Sequence, residues 1–202
     1  MVDPTAFGYG GFSFSWGDHI CAIFDDRVQQ AEVMVPFIAT GLRAAQRCVW
    51  VGPDESCRML RTSLAGAGGD LPTLEASSQL VIIEATEYYL EAGLFEPART
   101  MRLLHTLLDD GQRQGYASMR LTGDASWLPG RVDVETWQGY ELQVNEAIAD
   151  LPVAVVCQYN RLQVTGSMVV AALRTHPTVI LGEAVHENPF FMPAGNAPLN
   201  IT

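Results

Sequence analysis

The chain has 202 residues, 48% hydrophobic and 17% charged, which suits one domain with a full core and excludes a disordered chain. The formal net charge is −11 and all 12 basic residues are arginines, so the chain would repel a phosphate backbone or an anionic bilayer, and neither nucleic acid nor membrane is expected as a partner of this segment. The N-terminus has no basic start followed by a continuous apolar run, and no stretch reaches membrane-spanning length, so a cytoplasmic location is expected.

Residues 1–13 are rich in glycine and aromatics and read as an irregular lead-in. The first strand signal is 20–24 (ICAIF), inside GDHICAIFDD (17–26). Asp25 and Asp26 then cap a helix expected to run to about Arg47, with Val28, Ala31, Val35, Ile38 and Leu42 as its apolar face and Pro36 as a kink point. A strand at 48–52 leads through Pro53 into a helix from Asp54 to about Leu64. AGAGGDLP (65–72) reads as a loop before a strand at 80–84. After the acidic, tyrosine-rich stretch 84–97, Glu96 and Pro97 open a helix carrying Met101, Leu104 and Leu108 at helical spacing. A strand follows at 118–122, a helix from Asp133 to about Ala149, a strand at 153–158, and a helix from Thr165 to about Arg174 that His176 and Pro177 stop. The last strand is expected at 178–181, and residues 183–202 read as a tail or linker after a domain spanning 14–182.

Nearly continuous apolar strands alternating with amphipathic helices predict an α/β fold: a doubly wound, mostly parallel sheet of about six strands with helices on both faces. In such sheets ligands bind outside the carboxyl ends of the strands. A phosphate loop would need glycines and a lysine after the first strand. Here Phe24 is followed by two aspartates, with no glycine before Gly41, so a Walker-type site is excluded.

His19 and Cys21 alternate along a strand and share a face, an arrangement open to a metal or haem, to a reactive pair, or to plain packing. The four cysteines form no CxxC pair and read as reduced thiols packed as small hydrophobes. Asp124 and Trp127 lie at a strand mouth, where the indole offers an apolar wall. Tyr159 leaves the next strand, and Glu141 and Asn145 stand four apart on one helix face. Glu84 and Tyr88 belong to an aromatic-lined loop suited to closing over a small molecule. No nucleophile, base and orienter can be assembled from the chain, so an enzyme is not expected.

The ordered set GDHIC (17–21), VPFIATGL (35–42), GLFEP (93–97), RLTGDASW (120–127), YELQVNE (140–146), CQY (157–159) and RTHP (174–177) closely resembles the MEDS domain, the methanogen/methylotroph DcmR-type sensory domain, over roughly residues 14–182. The resemblance implies a RecA/KaiC-like core without a phosphate loop, serving as a sensory input module for simple hydrocarbon derivatives. Its partner would be a histidine kinase or transcription regulator, in cis or in trans. By position, the family's characteristic polar residues fall on His19, Cys21, Arg120, Asp124, Trp127, Glu141, Asn145, Cys157, Tyr159 and His176. A RecA-like strand order, 5-1-4-3-2, would set strand one between strands four and five, with Cys21, Thr122 and Cys157 on neighbouring strands. The expected ligand set is Asp124, Trp127, Glu141, Asn145, Tyr159, Glu84 and Tyr88. His19, Cys21, Cys157 and His176 are structural, or metal and redox groups. No cofactor is expected. The alternatives are a metal or haem sensor through the His and Cys residues, and a non-catalytic RecA-like module that binds a protein. Helix faces are open to homodimer pairing, which no motif specifies.

Overall fold

The computed structural model describes residues 3–182 and 184–193. In chain order the elements are β1 (His19–Phe24), α1 (Arg27–Arg43), β2 (Arg47–Gly52), α2 (Asp54–Gly66), α3 (Leu71–Ala76), β3 (Leu80–Glu84), α4 (Ala85–Tyr89), β4 (Leu90–Glu91), β5 (Leu94–Phe95), α5 (Pro97–Arg113), β6 (Met119–Asp124), α6 (Val134–Ile148), β7 (Val153–Asn160), α7 (Gly166–Thr175), β8 (Thr178–Leu181) and β9 (Ala184–Glu187). A 3-10 turn, Ala125–Trp127, links β6 to the loop before α6. Seven strands form one sheet in the order β3-β2-β6-β7-β1-β8-β9, with only β9 antiparallel to its neighbour, and β4 and β5 form a separate hairpin.

Every residue of β1, β2, β6 and β7 is buried, which is why these strands read as nearly continuous apolar runs rather than alternating ones, with Arg120, Thr122, Asp124 and Gln158 among the buried polar exceptions. Alternate side chains feed two cores. Ile20, Ala22, Phe24, Cys48, Trp50 and Val156 pack under α1 and α2. Cys21, Ile23, Val49, Val51, Leu121, Cys157 and Tyr159 face α4 to α7.

The strand order corrects one expectation. β1 lies between β7 and β8, not beside β6, so Cys21 pairs with Cys157 in register while Thr122 is one strand further away, opposite Val156. The discrepancy comes from β3, which is an edge strand outside β2. With β3 and β9 set aside, the five remaining parallel strands run β8-β1-β7-β6-β2, which is the order 5-1-4-3-2 when those five are counted along the chain.

Four local expectations also change. α1 buries Gln30, Val33, Met34, Phe37, Ile38, Thr40 and Gly41, while Val28 is 67% exposed, because the bulky Met34–Phe37 side of the helix docks on the sheet. Asp26 alone caps α1; Asp25 pairs with Arg161 across the strand ends. The end of the glycine-rich stretch starts α3, where Asp70 accepts from Thr73 N and Pro72 occupies the first turn. Ala184–Glu187, expected in the tail, extends the sheet as β9; residue 183 and residues 194–202 of that tail lie outside the described residues.

The lead-in is irregular but packed. Phe7 and Phe14 are buried, and Phe7 stacks near Phe37 at 4.7 Å. Arg120, on β6, reaches through the core to donate to the carbonyls of Pro4 (3.1 Å), Ala6 (2.9 Å) and Phe37 (2.9 Å) and to Gln46 Oε1 (2.6 Å). Gly41 makes this passage possible: a Cβ there would come within 2.6 Å of Arg120 Cδ. Among the described residues no helix is long and apolar enough to cross a membrane.

Candidate functional site

Parallel pairing of β1 with β7 sets His19, Cys21, Cys157 and Tyr159 on the sheet face covered by α6 and α7. Glu141 descends from α6 onto that face, and His176 follows the last residue of α7. The result is a buried cluster. His19 Nε2 lies 3.2 Å from Glu141 Oε2 and 3.3 Å from Cys157 Sγ. Cys157 Sγ lies 3.5 Å from the same carboxylate oxygen, and His176 Nε2 lies 3.7 Å from it. The two imidazole centroids are 4.0 Å apart.

Outer partners hold each group. Tyr159 donates its hydroxyl to Glu141 Oε1 at 2.7 Å, and Trp137 Nε1 donates to that hydroxyl oxygen at 2.9 Å, so Oε2 is left to face the histidines. Asn145 donates Nδ2 to the Thr175 carbonyl (2.7 Å), which turns its Oδ1 toward His19 Nδ1 at 3.2 Å. His176 Nδ1 is 2.8 Å from the Ala172 carbonyl. Both rings therefore engage Nδ1 outside the cluster and direct Nε2 into it, where His19 Nε2 meets the Glu141 carboxylate and His176 Nε2 has no hydrogen-bond partner.

Burial pushes the Glu141 carboxyl up, but the His19 hydrogen bond, both imidazoles and the Tyr159 hydroxyl outweigh it and hold the group below the usual carboxylate range. Burial, aided by His19, pushes His176 down to about 3, so it is neutral. Burial and the Glu141 charge raise the Cys157 thiol well above its ordinary value. Four donors of metal-ligating type, His19, Glu141, Cys157 and His176, thus converge within 4.8 Å of one another.

Beside the cluster is a cavity of about 20 Å³ lined by Val51, Tyr88, Tyr89, Leu104, Leu121, Thr122, Gly123, Tyr140, Glu141, Val144, Val155 and Cys157. Two of its lining residues, Tyr89 and Tyr140, belong to an aromatic layer: Tyr89 stacks on Trp127 at 4.7 Å, and Phe95 of the β4–β5 hairpin packs on Trp127, Trp137 and Tyr140. Tyr88 Oη and Trp127 Nε1 are buried there without hydrogen-bond partners.

The carboxyl edge of the sheet is occupied differently. Asp124 Oδ2 accepts from Arg27 Nη1 (2.5 Å) and from Gln30 Nε2 (3.0 Å). Gln158 accepts from the same Gln30 nitrogen and donates to Thr122 Oγ1 at 2.8 Å. Side chains of α1 and the strand ends thus fill the position where a phosphate loop would turn.

The expected ligand set therefore divides. Glu141, Asn145 and Tyr159 join His19, Cys157 and His176 beneath the sheet face, not at a strand mouth. Tyr88 lines the cavity, and Trp127 stands one layer behind it, stacked on the lining residue Tyr89. Asp124 belongs to the carboxyl-edge network, and Glu84 caps α4 by accepting from Thr86 N, away from both. Cys21 packs in the core opposite Cys157 and is not among the convergent donors. Tyr89 lies in the aromatic loop that the sequence suggested, while Tyr140 and Val144 of the cavity and Trp137, which holds Tyr159, were missed. Their helical and aromatic pattern was visible, but nothing local linked them to the site.

The comparisons with known proteins agree with this geometry at two levels. The transcriptional repressor DcmR of Methylorubrum extorquens strain DM4 is 23% identical over 168 residues, which cover 82% of this chain and 60% of the repressor, so the chain spans only part of that relative's length. A KaiC-like protein from the hyperthermophilic archaeon Pyrococcus horikoshii OT3 superposes with a TM-score of 0.58 at 16% identity, over 86% of this chain and 77% of that one, a likeness of fold. The sequence profile of MEDS, the MEthanogen/methylotroph, DcmR Sensory domain, matches residues 18–177, a span that contains every residue of the buried cluster. The chain belongs to the MEDS family of sensory domains.

Proposed function

We propose that this chain is the sensory input domain of a prokaryotic signal-transduction protein, that it binds a small, weakly polar organic molecule in the cavity between β6, β7, α4 and α6, and that it relays occupancy to a histidine kinase or transcription regulator. The observation that carries the reading is the cavity itself. Its wall is apolar and aromatic, with few polar groups, one of them the unpartnered Tyr88 hydroxyl. At about 20 Å³ it accommodates a water-sized guest. A larger organic guest displaces Tyr88 and Tyr89, which belong to α4, and Tyr89 contacts Phe95 of the β4–β5 hairpin. Binding energy is thereby converted into a shift between two arrangements of that surface segment, which is what a signal requires.

Isothermal titration calorimetry with short alcohols, ketones, amines and haloalkanes tests the proposal. At least one class gives a saturable heat that Val144→Phe, which fills the cavity, abolishes while far-ultraviolet circular dichroism is unchanged. Absence of heat from every class, or undiminished heat in folded Val144→Phe, overturns it.

A further inference from the structure

We propose that His19, Glu141, Cys157 and His176 bind a single divalent transition-metal ion of the zinc class. Three observations lead there, none of which depends on the organic ligand.

The first is distance. Around a tetrahedral ion with bonds of about 2.0–2.3 Å, neighbouring donors stand roughly 3.3–3.6 Å apart. Four of the six edges in the cluster are 3.2 Å (His19 Nε2 to Glu141 Oε2), 3.3 Å (His19 Nε2 to Cys157 Sγ), 3.5 Å (Cys157 Sγ to Glu141 Oε2) and 3.7 Å (His176 Nε2 to Glu141 Oε2), and the two from His176 Nε2 to His19 and Cys157 are no longer than 4.8 Å, so His176 closes in by a short movement when the ion binds. The four donor atoms come from β1, α6, β7 and the residue after α7, and all lie within 4.8 Å of one another.

The second is an unmet polar group. His176 Nε2 is fully buried and has no hydrogen-bond partner. Its Nδ1 already donates to the Ala172 carbonyl, so the lone pair of Nε2 points at a carboxylate oxygen that also offers only lone pairs. Two acceptors held face to face without a donor between them are costly in a dry interior. A cation between them turns that opposition into two bonds. His19 has the same preparation, with Nδ1 engaged by Asn145 and Nε2 directed inward, the outer-partner pattern of metal-bound histidines.

The third is charge. Glu141 is a carboxylate with no exposure; among the described residues its neighbours are the two histidines, Tyr159 and Cys157, with no arginine against it. A divalent ion bound by one carboxylate, one thiolate and two neutral imidazoles makes a centre of zero net charge, which is cheap to bury. As the metal–sulfur and metal–nitrogen bonds form, the Cys157 thiol proton and the proton that His19 Nε2 shares with Glu141 leave to solvent; no oxidant or reductant is involved. Mixed imidazole, thiolate and carboxylate donors select zinc-class ions over magnesium or calcium.

The test uses the full chain, stripped of metal by chelator and titrated with Co²⁺ alone. One equivalent is expected, with tetrahedral visible bands and a thiolate-to-cobalt charge-transfer band, both displaced by Zn²⁺. Cys157→Ser removes the charge-transfer band, and His176→Ala weakens binding by at least about tenfold. Cys48→Ser, on the opposite face of the sheet, changes neither. Zn²⁺ raises the melting temperature of the wild type with increasing concentration, a readout that needs no variant to fold. The proposal is overturned if folded, metal-free wild type takes up less than about a tenth of an equivalent of either ion, or if the charge-transfer band persists in folded Cys157→Ser. Metal uptake without any heat from organic compounds would leave this site standing and remove the organic-ligand reading; the reverse result would do the opposite.

Discussion

Arg120 is a fully buried cation whose partners are carbonyls, not a carboxylate. Burial pushes its guanidinium down to about 10, still charged at neutral pH. It donates to Gln46 and to the backbone of residues 4, 6, 7 and 37, and it lies about 5 Å above the rings of Phe14 and Phe37. Arg120→Met strands these acceptors in the core. A loss of roughly 3 kcal/mol or more in urea unfolding is expected, with fast proteolysis of the released lead-in. A loss below about 1 kcal/mol would show that the lead-in is held by Phe7 and Phe14 instead. The polar type of Arg120, and of His19, Asn145, Cys157 and His176, was legible through family resemblance. Which of them touch was not, because Glu141 and His176 meet His19 across more than a hundred residues of chain. The His19–Cys21 pair, closest in sequence, is not the pair that forms; His19 meets Cys157 of the neighbouring strand.

At the scale of elements, the starts of the five long helices were legible, Asp133 among them, whereas Asp70, which starts the short α3, was read as part of a loop. Asp70 and Asp133 each cap a helix by accepting from the backbone and hydroxyl of a threonine three residues on. Those hydrogen bonds hold both carboxyls below 3.8, their usual value. Because the folded value lies below the unfolded one, their stabilisation is complete above the unfolded value and is lost as pH falls through the lowered one. Asn caps nearly as well but does not titrate there. The double variant Asp70→Asn/Asp133→Asn should therefore melt near the wild-type temperature at neutral pH and lose less of it on acidification. Equal acid slopes in calorimetric melts would remove these caps from the acid response. The missed elements share a cause. α3 and α4 are short, and β9 is defined by pairing with β8, so none has a hydrophobic period long enough to be read.

At the scale of the molecule, all four cysteines are free and buried, with burial pushing Cys57 up to about 11 and Cys48 to about 12. Native protein should react with a thiol-specific disulfide reagent only on the timescale of unfolding, and four thiols should appear on denaturation. Fast labelling of even one native thiol would mean that the core opens locally. The sequence by itself determined the α/β class, the parallel sheet, the loss of the phosphate loop and the five principal helix starts, because these depend on periodicity, caps and turn residues that act within a few positions. Only the tertiary structure decided where the site lies. Strand order set Cys157 rather than Cys21 beside His19, and the docking of α6 and α7 on one sheet face brought Glu141 and His176 to them. Those contacts depend on how distant segments share a surface, which no local pattern records.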